Sequence, residues 1–258
     1  MDMQMKGLRV LVTAGAGGIG LETATAFMEE GARVCICDVN PQALADAAGR
    51  LPGVVTQRCD VSDRQAVASL FETVARELGG LDCLVNNVGI SGPTGRVDTI
   101  DPEEWDKTLE INITGQFNCV RLAVPLLAES ANASIVNMSS AAGRVGFGLR
   151  TPYAASKWAV VGFTKSLSIE LAELGIRANA VLPGVVAGPR QDRILAEKAQ
   201  VAGVSLEEMR RQALSRVSLK EMITPRQLAD TILFLASPRG RMTSGQAISV
   251  CGDLQSLS

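Results

Sequence analysis

The first apolar run of the chain leads directly into a turn that is rich in glycine. Residues 8–12 are mostly apolar, as a buried parallel strand requires. Residues 21–30 are predicted to form a helix that stops at Gly31. A strand, a glycine turn and a helix N-terminus in this order present backbone N–H groups to a pyrophosphate. The glycines of the turn, residues 13–20, are Gly15, Gly17, Gly18 and Gly20.

Strand and helix patterns continue to alternate along the rest of the chain. Further apolar runs are predicted as strands at residues 33–37, 54–59, 81–85, 134–138, 176–182 and 247–250. Helical patterns separate these runs, and the composition does not change abruptly along the chain. The alternation predicts an α/β fold of the Rossmann type, a doubly wound sheet of about seven parallel strands with helices on both faces. We expect one domain over residues 1–258.

Charge and hydropathy exclude several classes of protein. The 258 residues carry a formal net charge of −2, and no basic patch indicates nucleic-acid binding. No apolar run reaches the ~18–20 residues that a membrane-spanning helix needs. The N-terminus lacks the apolar region of a secretion signal. We therefore expect a cytoplasmic protein with a small-molecule substrate and with neither a nucleic-acid nor a membrane partner.

Six cysteines and the absence of histidine limit metal and redox chemistry. The cysteines are scattered without a C-x-x-C pair, and most lie in or beside apolar runs, where a thiol behaves as a small hydrophobic group. We expect neither disulfides nor a metal site. Because histidine is the usual general base, an acid–base site in this chain must use another side chain.

The only tyrosine of the chain, Tyr153, lies four residues before Lys157. On a helix this spacing places both side chains on one face, about a turn apart. A phenol exchanges protons poorly near neutrality, because its unperturbed pKa is ~10. An ammonium at about 4 Å stabilises a phenolate by roughly 4 kcal/mol at an effective dielectric constant near 20. The alternative is a surface pair without function, because this spacing is common.

A serine completes a pattern around this pair. Ser140 follows the predicted strand at residues 134–138, and with Tyr153 and Lys157 it resembles the active-site pattern of the short-chain dehydrogenase/reductase family. Asn112 matches the fourth catalytic position of that family. The resemblance covers residues 6–253. Further family motifs occur in the expected order, namely the glycine turn, Asp60-Val61, Asn86-Asn87-Val88-Gly89 and Pro183-Gly184.

The resemblance implies an NAD-dependent enzyme of EC class 1.1.1 that interconverts a secondary alcohol and a ketone. Tyr153 would be the general acid and base, and Lys157 would stabilise the phenolate and bind the nicotinamide ribose. Ser140 would bind the reacting oxygen, and Asn112 would hold a relay water. Ser140 and Tyr153 would also contact the substrate. Besides Tyr153 and Lys157, the implied cofactor contacts are Gly15, Gly17, Gly18, Ile19, Gly20, Asp38, Asp60, Val61, Asn87, Gly89, Pro183, Gly184 and Val186.

Ala14 and Gly188 are among the positions that depart from the family pattern. Gly18 and Gly20 match the family's T-G-x-x-x-G-x-G turn, but Ala14 replaces its first glycine. We expect Gly15 to supply part of the backbone freedom that is lost. Gly188 stands where the family often has a threonine that binds the nicotinamide carboxamide, so that contact would be lost or moved in this chain.

The end of the second predicted strand bears on the choice of cofactor. Asp38 lies 18 residues after Gly20, where a carboxylate accepts hydrogen bonds from an adenosine ribose. An anion at this position repels a 2′-phosphate, so Asp38 favours NAD over NADP. The alternative is that Asp38 belongs to the N-cap region of a helix that begins at Pro41.

The sequence leaves the substrate open. Arg144, Arg150, Arg190 and Arg193 lie in segments predicted to border the pocket, and Arg150 or Arg190 would bind an anionic substrate group. The alternative is that all four are solvated loop arginines. Candidate substrates are small polyols or sugars, anionic hydroxy compounds and 3-oxoacyl thioesters, the last usually reduced with NADPH. A regulatory scaffold that binds a dinucleotide without turnover is a further alternative, which the intact set of four catalytic residues disfavours.

Three expectations concern the helices. A helix that starts at Asp101-Pro102 carries Asn112, and we expect Pro125 to kink or end it. Residues 188–224 are polar and helix-rich and resemble the family's substrate-covering lid. The apolar helix faces at residues 117–127 and 159–171, with the last strand, resemble the family's tetramer surfaces and predict a homotetramer or dimer. Alternatively, these faces pack only within the subunit.

Overall fold

A computed structural model of the chain describes residues 2–257, with the backbone only for Arg190, Glu197, Lys198 and Val201. Seven parallel strands of this part of the chain form one sheet in the order β3-β2-β1-β4-β5-β6-β7. The predicted doubly wound parallel sheet is thereby confirmed. The strands are β1 (Arg9–Thr13), β2 (Arg33–Asp38), β3 (Val55–Arg58), β4 (Cys83–Asn86), β5 (Ser134–Met138), β6 (Arg177–Pro183) and β7 (Ala247–Val250).

Helices connect the strands and cover both faces of the sheet. Several begin where the sequence places a polar cap: the side chains of Asn40, Asp63 and Asp101 each accept hydrogen bonds from N–H groups of the following first turn. The helices are α1 (Gly18–Glu29), α2 (Pro41–Arg50), α3 (Arg64–Leu78), α4 (Pro102–Leu109), α5 (Gly115–Leu127), α6 (Thr151–Glu170), α7 (Pro189–Ala202), α8 (Leu206–Leu214) and α9 (Pro225–Ala236).

Two apolar cores lie on opposite faces of the sheet. Val12 on β1 faces a core that includes Phe27 of α1 and Ile232 of α9. Leu11, its neighbour on the same strand, faces the other core, which includes residues of α3, α5 and α6. Successive strand residues are therefore buried on both sides, which explains why the strands appear in the sequence as continuous apolar runs.

The strand order reverses between β1 and β4, which are neighbours in the sheet. In open sheets of this kind the connections on either side of the reversal diverge, and a crevice opens beyond the carboxyl ends of the strands. The carboxyl ends of β1, β4, β5 and β6 lie along this edge, because the strands are parallel and in register. The fold therefore directs the glycine turn and Ser140 to the same edge.

The helix that carries Asn112 is irregular at Asn112 rather than at Pro125. Residues Glu110–Thr114 form a π-helical turn between α4 and α5, with the N–H of Gly115 bonded to the carbonyl of Glu110. The helix then continues through Pro125 and ends at Leu127, two residues later. Single π turns inside α-helices occur frequently at functional sites.

The segment between β6 and α9 leaves the sheet and carries α7 and α8, which pack against each other. Arg210 on α8 and Asp192 on α7 form an ion pair of 2.6 Å between them. In the stretch from residue 2 to residue 257, no helix has both the length and the apolar composition to cross a membrane.

A charged pair ties β1 to the turn before β4. Arg9 binds the carboxylate of Asp82 through two side-chain N–H groups, and Ser130 donates to the same carboxylate at 2.6 Å. Burial disfavours the charged form of Asp82, but the hydrogen bonds from Arg9 and Ser130 outweigh this cost and hold the pKa of Asp82 below its ordinary value. The ionised carboxylate therefore stabilises the folded chain.

Asp82→Ala is expected to lower the free energy of unfolding at neutral pH by about 2–3 kcal/mol, because Arg9 loses its partner in a largely buried site. The difference between wild type and variant should shrink as the pH falls below ~3.9, the value for an unfolded aspartate, because the depressed folded-state pKa stabilises only the ionised form. Urea denaturation at neutral and acidic pH measures the difference in the free energy of unfolding and its dependence on pH. Asp98→Ala, which removes the exposed Arg96–Asp98 pair, is the control and should change little.

Candidate active site

Tyr153 and Lys157 lie on the same face of α6, within its first two turns. The Nζ atom of Lys157 is 5.7 Å from the centroid of the Tyr153 ring. Lys157 is 3% exposed, and its Nζ donates to the main-chain carbonyl of Met138 at 2.9 Å. The ammonium is therefore fixed beside the phenol by the last residue of β5.

The two serines after β5 have different tasks in the structure. Ser139 is buried, and its Oγ donates to the main-chain carbonyl of Lys157 at 2.7 Å, which fastens α6 to the end of β5. The Oγ of Ser140 accepts the N–H of Ala142 at 3.1 Å. This bond uses a lone pair of Ser140, so its hydroxyl proton remains suited to donation toward a reacting oxygen.

Asn112, in the π turn, is fully buried and connects α6 to the loop after β4. Its Oδ1 accepts the N–H of Ile90 at 2.8 Å, and its Nδ2 donates to the carbonyl of Ile90 and to the Oγ of Ser156, both at 3.0 Å. Ser156 in turn donates to the carbonyl of Tyr153 at 2.7 Å. Sequence reasoning assigned no role to Ser156, although it lies inside the Tyr153–Lys157 stretch.

Gly89 allows the lysine and the asparagine to approach each other. A Cβ atom at Gly89 would lie 3.1 Å from the Nζ of Lys157 and 3.5 Å from the Oδ1 of Asn112. The loop after β4 therefore passes directly over the ammonium, and a larger residue would displace it. This position is at the carboxyl edge of the sheet, where the strand order predicts the ligand crevice.

The backbone of the glycine turn differs from expectation. Ala14, not Gly15, adopts a left-handed conformation, with φ of 49°, so the expectation that Gly15 takes over this freedom is wrong. Gly15 is needed for space instead, because a Cβ there would lie 2.6 Å from the Cβ of Ile36. Asn87 stabilises the strained residue by donating from Nδ2 to the carbonyls of Thr13 and Ala14 at 3.0 and 3.1 Å.

The N-terminus of α1 has the properties of a pyrophosphate site. Its N-cap, Gly17, supplies no side-chain cap, and the following Gly18 has φ of 52°. The orphan N–H groups of the first turn are thus offered to an outside anion, unlike those of α2 and α3, which Asn40 and Asp63 cap. Ile19 and Gly20 belong to the same turn, and the residues present fit a dinucleotide.

The other residues expected to contact a cofactor lie along the same edge. Asp38 ends β2, and its Oδ1 accepts the N–H of Asn40, which is itself the N-cap of α2. Asn40 is thus the N-cap itself, and Asp38 takes part in the N-cap region by bonding its N–H. The remaining positions follow the strands: Asp60 and Val61 after β3, Asn87 and Gly89 after β4, Pro183 at the end of β6, and Gly184 and Val186 beyond it.

Arg150 lies next to the phenol. Its Cζ is 5.9 Å from the ring centroid of Tyr153 and 5.6 Å from that of Phe147. The guanidinium also donates to the Oγ1 of Thr94 at 2.8 Å and to the carbonyl of Ser91 at 2.9 Å. Phe147, whose ring meets the edge of Tyr153 at 6.5 Å, was not anticipated, because nothing in the sequence distinguishes it from a core residue.

The structure describes the side chains of two other candidate arginines, Arg144 and Arg193. Arg144 donates to the carbonyl of Leu254 at 3.1 Å and so binds the C-terminal segment. Arg193 is exposed on α7, and the side chain of Arg190 lies outside the described residues. Among the three arginines whose side chains are described, Arg150 is the one shown beside Tyr153.

The cysteines behave as small hydrophobic residues. All six are free thiols in buried positions. Burial raises the pKa of Cys35 and of Cys83 to about 12, so these thiols stay neutral at physiological pH. Within the described part of the chain, no three histidine, cysteine, aspartate or glutamate side chains are grouped so as to hold a metal ion.

Comparison with known proteins identifies the family. Residues 14–253 match the profile of a family described as enoyl-(acyl carrier protein) reductase. The chain is 38% identical over 256 residues to 3-oxoacyl-(acyl-carrier-protein) reductase of Thermotoga maritima, covering 98% of this chain and 99% of that one. The chain belongs to the short-chain dehydrogenase/reductase family.

Other members of the short-chain dehydrogenase/reductase family act on varied substrates. D-beta-hydroxybutyrate dehydrogenase of Cupriavidus necator is 31% identical, over 93% of this chain and 95% of that one. The structure of L-sorbose reductase from Gluconobacter frateurii with NADPH and L-sorbose superposes with a TM-score of 0.94, at 26% identity and 98% coverage of both chains. The structure of NAD+-bound xylitol dehydrogenase superposes with a TM-score of 0.90, at 27% identity, over 96% of this chain and 99% of that one.

Gly17→Ala is expected to abolish the thermal stabilisation by NAD+ without changing the melting temperature of the protein alone. Gly17 has extended backbone and no atom within 4 Å of a Cβ there, so only a bound pyrophosphate would meet the new methyl group. Thermal shift with and without NAD+ is the measurement.

Gly20→Ala is the contrasting variant of this test. Its Cβ would overlap the Ala14 carbonyl, so it should lower the melting temperature even without NAD+. Gly49→Ala on α2, also with open space, should leave the stabilisation by NAD+ unchanged, although the better helix propensity of alanine should raise the melting temperature slightly. Full stabilisation of Gly17→Ala by NAD+ would contradict a dinucleotide at this turn.

Proposed function

We propose that this short-chain dehydrogenase/reductase is an NAD-dependent enzyme that interconverts a secondary alcohol and a ketone. The proposal rests on the single tyrosine of the chain, which lies beside a buried ammonium at the edge of the sheet that also carries the glycine turn. A bound nicotinamide dinucleotide would supply or accept the hydride. The residues of the chain would handle the proton and the charge on the substrate oxygen.

Tyr153 is proposed as the proton-transfer group. In oxidation the phenolate oxygen takes the hydroxyl proton of the substrate, and in reduction the phenol returns a proton to the forming alkoxide. Lys157 favours the phenolate electrostatically, and its own charge is kept in place by Met138. Ser140 donates a hydrogen bond to the same substrate oxygen and stabilises the negative charge that develops there.

Asn112 is proposed to connect the site to solvent. Both N–H groups of its amide are used within the protein, by Ile90 and Ser156, so a relay water would bond to an oxygen of this residue. The π turn changes the direction of the main-chain carbonyls around Asn112, which gives such a water an acceptor inside a helix. Protons taken up by Tyr153 would leave along this path past Lys157.

Tyr153→Phe is expected to keep NAD+ binding and to lose turnover by roughly 10²–10⁴-fold, the usual contribution of a general acid–base group. Absorbance of NADH is followed with xylitol, L-fucose and D-3-hydroxybutyrate as substrates. Thr151→Val is the matched control, because Thr151 lies two residues before Tyr153 and so on another face of α6. Turnover near the wild-type rate in Tyr153→Phe would remove the mechanism.

The choice of NAD over NADP is proposed from Asp38. Structural neighbours of this chain include an NADPH complex and an NAD+ complex, so the neighbours support a nicotinamide dinucleotide of either kind. Asp38 lies at the end of β2, one strand away from the glycine turn, and Asn40 rather than Asp38 caps α2. A carboxylate there suits a ribose 2′-hydroxyl and repels a 2′-phosphate.

Asp38→Ser is expected to raise the KM for NAD+ by about tenfold and to lower the KM for NADP+ by a similar factor, because one charged hydrogen bond is worth about 1.5–3 kcal/mol. Steady-state kinetics with both cofactors tests this. Asp46→Ser, on the exposed face of α2, should leave the ratio of the two constants unchanged. A wild-type enzyme that prefers NADP+ would contradict the assignment.

The substrate is proposed to be a small polyol, a sugar or an anionic hydroxy compound. Relatives and neighbours named for xylitol, L-sorbose and hydroxybutyrate support all three classes. Arg150 would distinguish them, because its guanidinium lies beside Tyr153 and could pair with a carboxylate. A hydroxybutyrate has such a group, whereas xylitol does not.

Arg150→Met is expected to raise the KM for D-3-hydroxybutyrate at least tenfold and to change the KM for xylitol less than twofold. Arg144→Met, which affects an arginine bound to the C-terminal segment, is the control. Equal sensitivity of both substrates to Arg150→Met would argue against an anion-binding role.

Reduction of a 3-oxoacyl thioester is the second candidate. The relative from Thermotoga maritima at 38% identity carries this activity in its name. Asp38 disfavours the NADPH that such reductases usually use in this family. Oxidation of NADH or NADPH by acetoacetyl-CoA would test it. Binding of NAD+ without turnover of any substrate would instead favour a regulatory scaffold.

Residues 188–224 are proposed to form a substrate lid on a single domain. The segment leaves the sheet after β6 at Gly188, whose φ is 143°, and returns before α9. Val186 and Ile223 form a β-bridge that brings the two ends of the segment together. Closure of such a lid excludes water from the reacting atoms. Protection of residues 188–224 from proteolysis on substrate binding would support this proposal.

Self-association as a tetramer or dimer is proposed from exposed apolar side chains on α5 and α6. Phe117 is 44% exposed, Trp158 51% and Ile169 78%. Such side chains on two adjacent helices suit an isologous contact with a second copy. Sedimentation velocity tests the proposal, and a monomer at micromolar concentration would contradict it.

Location in the cytoplasm stays a prediction. All six cysteines have free, buried thiols, which suits a reducing compartment. We therefore propose the cytoplasm, and fractionation of cells that express the tagged protein would test it.

A further inference from the structure

Gln116 lies one helical turn beyond Asn112, in the first turn of α5, and is 2% exposed. Its Nε2 donates to the main-chain carbonyl of Met138 at 3.4 Å. The same carbonyl accepts the Nζ of Lys157 at 2.9 Å. A buried amide and the buried ammonium therefore share one acceptor at the end of β5.

The other end of this amide is unsatisfied. The Oε1 of Gln116 has almost no exposed surface and no hydrogen-bond partner among the described residues. An unmade buried hydrogen bond destabilises a protein, and an apolar side chain of similar shape avoids that cost. Few such groups occur in native proteins, and each calls for an explanation other than stability.

A second unsatisfied oxygen occurs on the adjacent strand. Asn86 on β4 donates from Nδ2 to the Oδ1 of Asn137 at 2.9 Å, but its own Oδ1 has no partner in the described part of the chain. Asn137 directly precedes Met138 on β5. Two side chains bonded to successive residues of β5 therefore each keep an unsatisfied oxygen, as is typical of sites where function opposes stability.

We propose that Gln116 is a positioning residue for Lys157, acting through the carbonyl of Met138. The inference rests on the proposed function of Lys157 and extends it. A carbonyl oxygen has two lone pairs, and Gln116 occupies one of them and fixes its direction. Without the amide, the carbonyl loses one of its two side-chain donors, and the ammonium is drawn toward β5 and away from Tyr153. Gln116 thus keeps the positive charge where it favours the phenolate.

Gln116→Met tests the proposal, because methionine has a similar length and no hydrogen-bonding amide. Tyr153 is the only tyrosine, so near-ultraviolet absorbance of the phenolate reports on this one side chain, with Tyr153→Phe as the blank. The midpoint of the phenolate titration should rise, because the positive charge then lies farther from the phenolate. At neutral pH, kcat for the best substrate among xylitol, L-fucose and D-3-hydroxybutyrate should fall roughly tenfold, with the KM for NAD+ within twofold.

The melting temperature separates positioning from a merely structural role. Gln116→Met should melt at the same temperature as the wild type or higher. Asn179→Leu is the matched control, because Asn179 is fully buried and bonded at both ends, to the carbonyl of Thr243 and the N–H of Gln246. Asn179 lies near the start of β6, away from the carboxyl edge of the sheet. The variant Asn179→Leu should lower the melting temperature and leave the phenolate titration unchanged.

Each outcome decides the proposal. A wild-type titration midpoint in Gln116→Met, or a variant that melts lower or does not fold, would overturn it. A shifted midpoint with no oxidation of any substrate by the wild type would leave the proposal standing and remove the proposed function. Oxidation of a substrate by the wild type, with no shift of the titration midpoint in Gln116→Met, would remove the proposal and leave the proposed function standing.

Discussion

The hydrogen bond from Lys157 to the carbonyl of Met138 joins the last residue of a central strand to the helix that carries the phenol. A lysine that is 3% exposed needs such an acceptor, because an unpaired buried ammonium is strongly disfavoured. Ser139 adds a second bond between the same strand end and the same helix. These two bonds connect the end of β5 to α6 and place the charge of Lys157 relative to the sheet.

The sheet brings distant parts of the chain to this carbonyl. β5 lies next to β4 and β4 next to β1, so residues near positions 14, 88 and 140 meet at one edge. The helix with Asn112 must then reach over that edge, and it does so through a π turn that directs the amide to Ile90 and Ser156. Most of these side chains are thus held by hydrogen bonds to main-chain atoms, and the bond from Asn112 to Ser156 joins two side chains directly.

Those structural elements that depend on neighbouring residues along the chain could be predicted from the sequence. The strands were predicted within two residues because most of them are apolar runs, and the helix start at Asp101-Pro102 because capping chemistry is local. The four candidate catalytic residues could be named from a pattern, although their roles stay proposals. The π turn, the ring of Phe147 beside Tyr153 and the bonds of Arg150 to Ser91 and Thr94 could not be predicted, because each depends on contacts between remote segments.

The left-handed Ala14 shows that the shape of the glycine turn is imposed from outside it. An alanine in this conformation is disfavoured by roughly 1–2 kcal/mol, and two hydrogen bonds from Asn87 hold it there. The conformation of the glycine turn is therefore determined by its hydrogen bonds to the residue after β4, and not by the preferences of its own residues. Glycine at position 14 is then not required for this conformation. A search for the glycine pattern alone overlooks chains that keep the stabilising asparagine but lack that glycine.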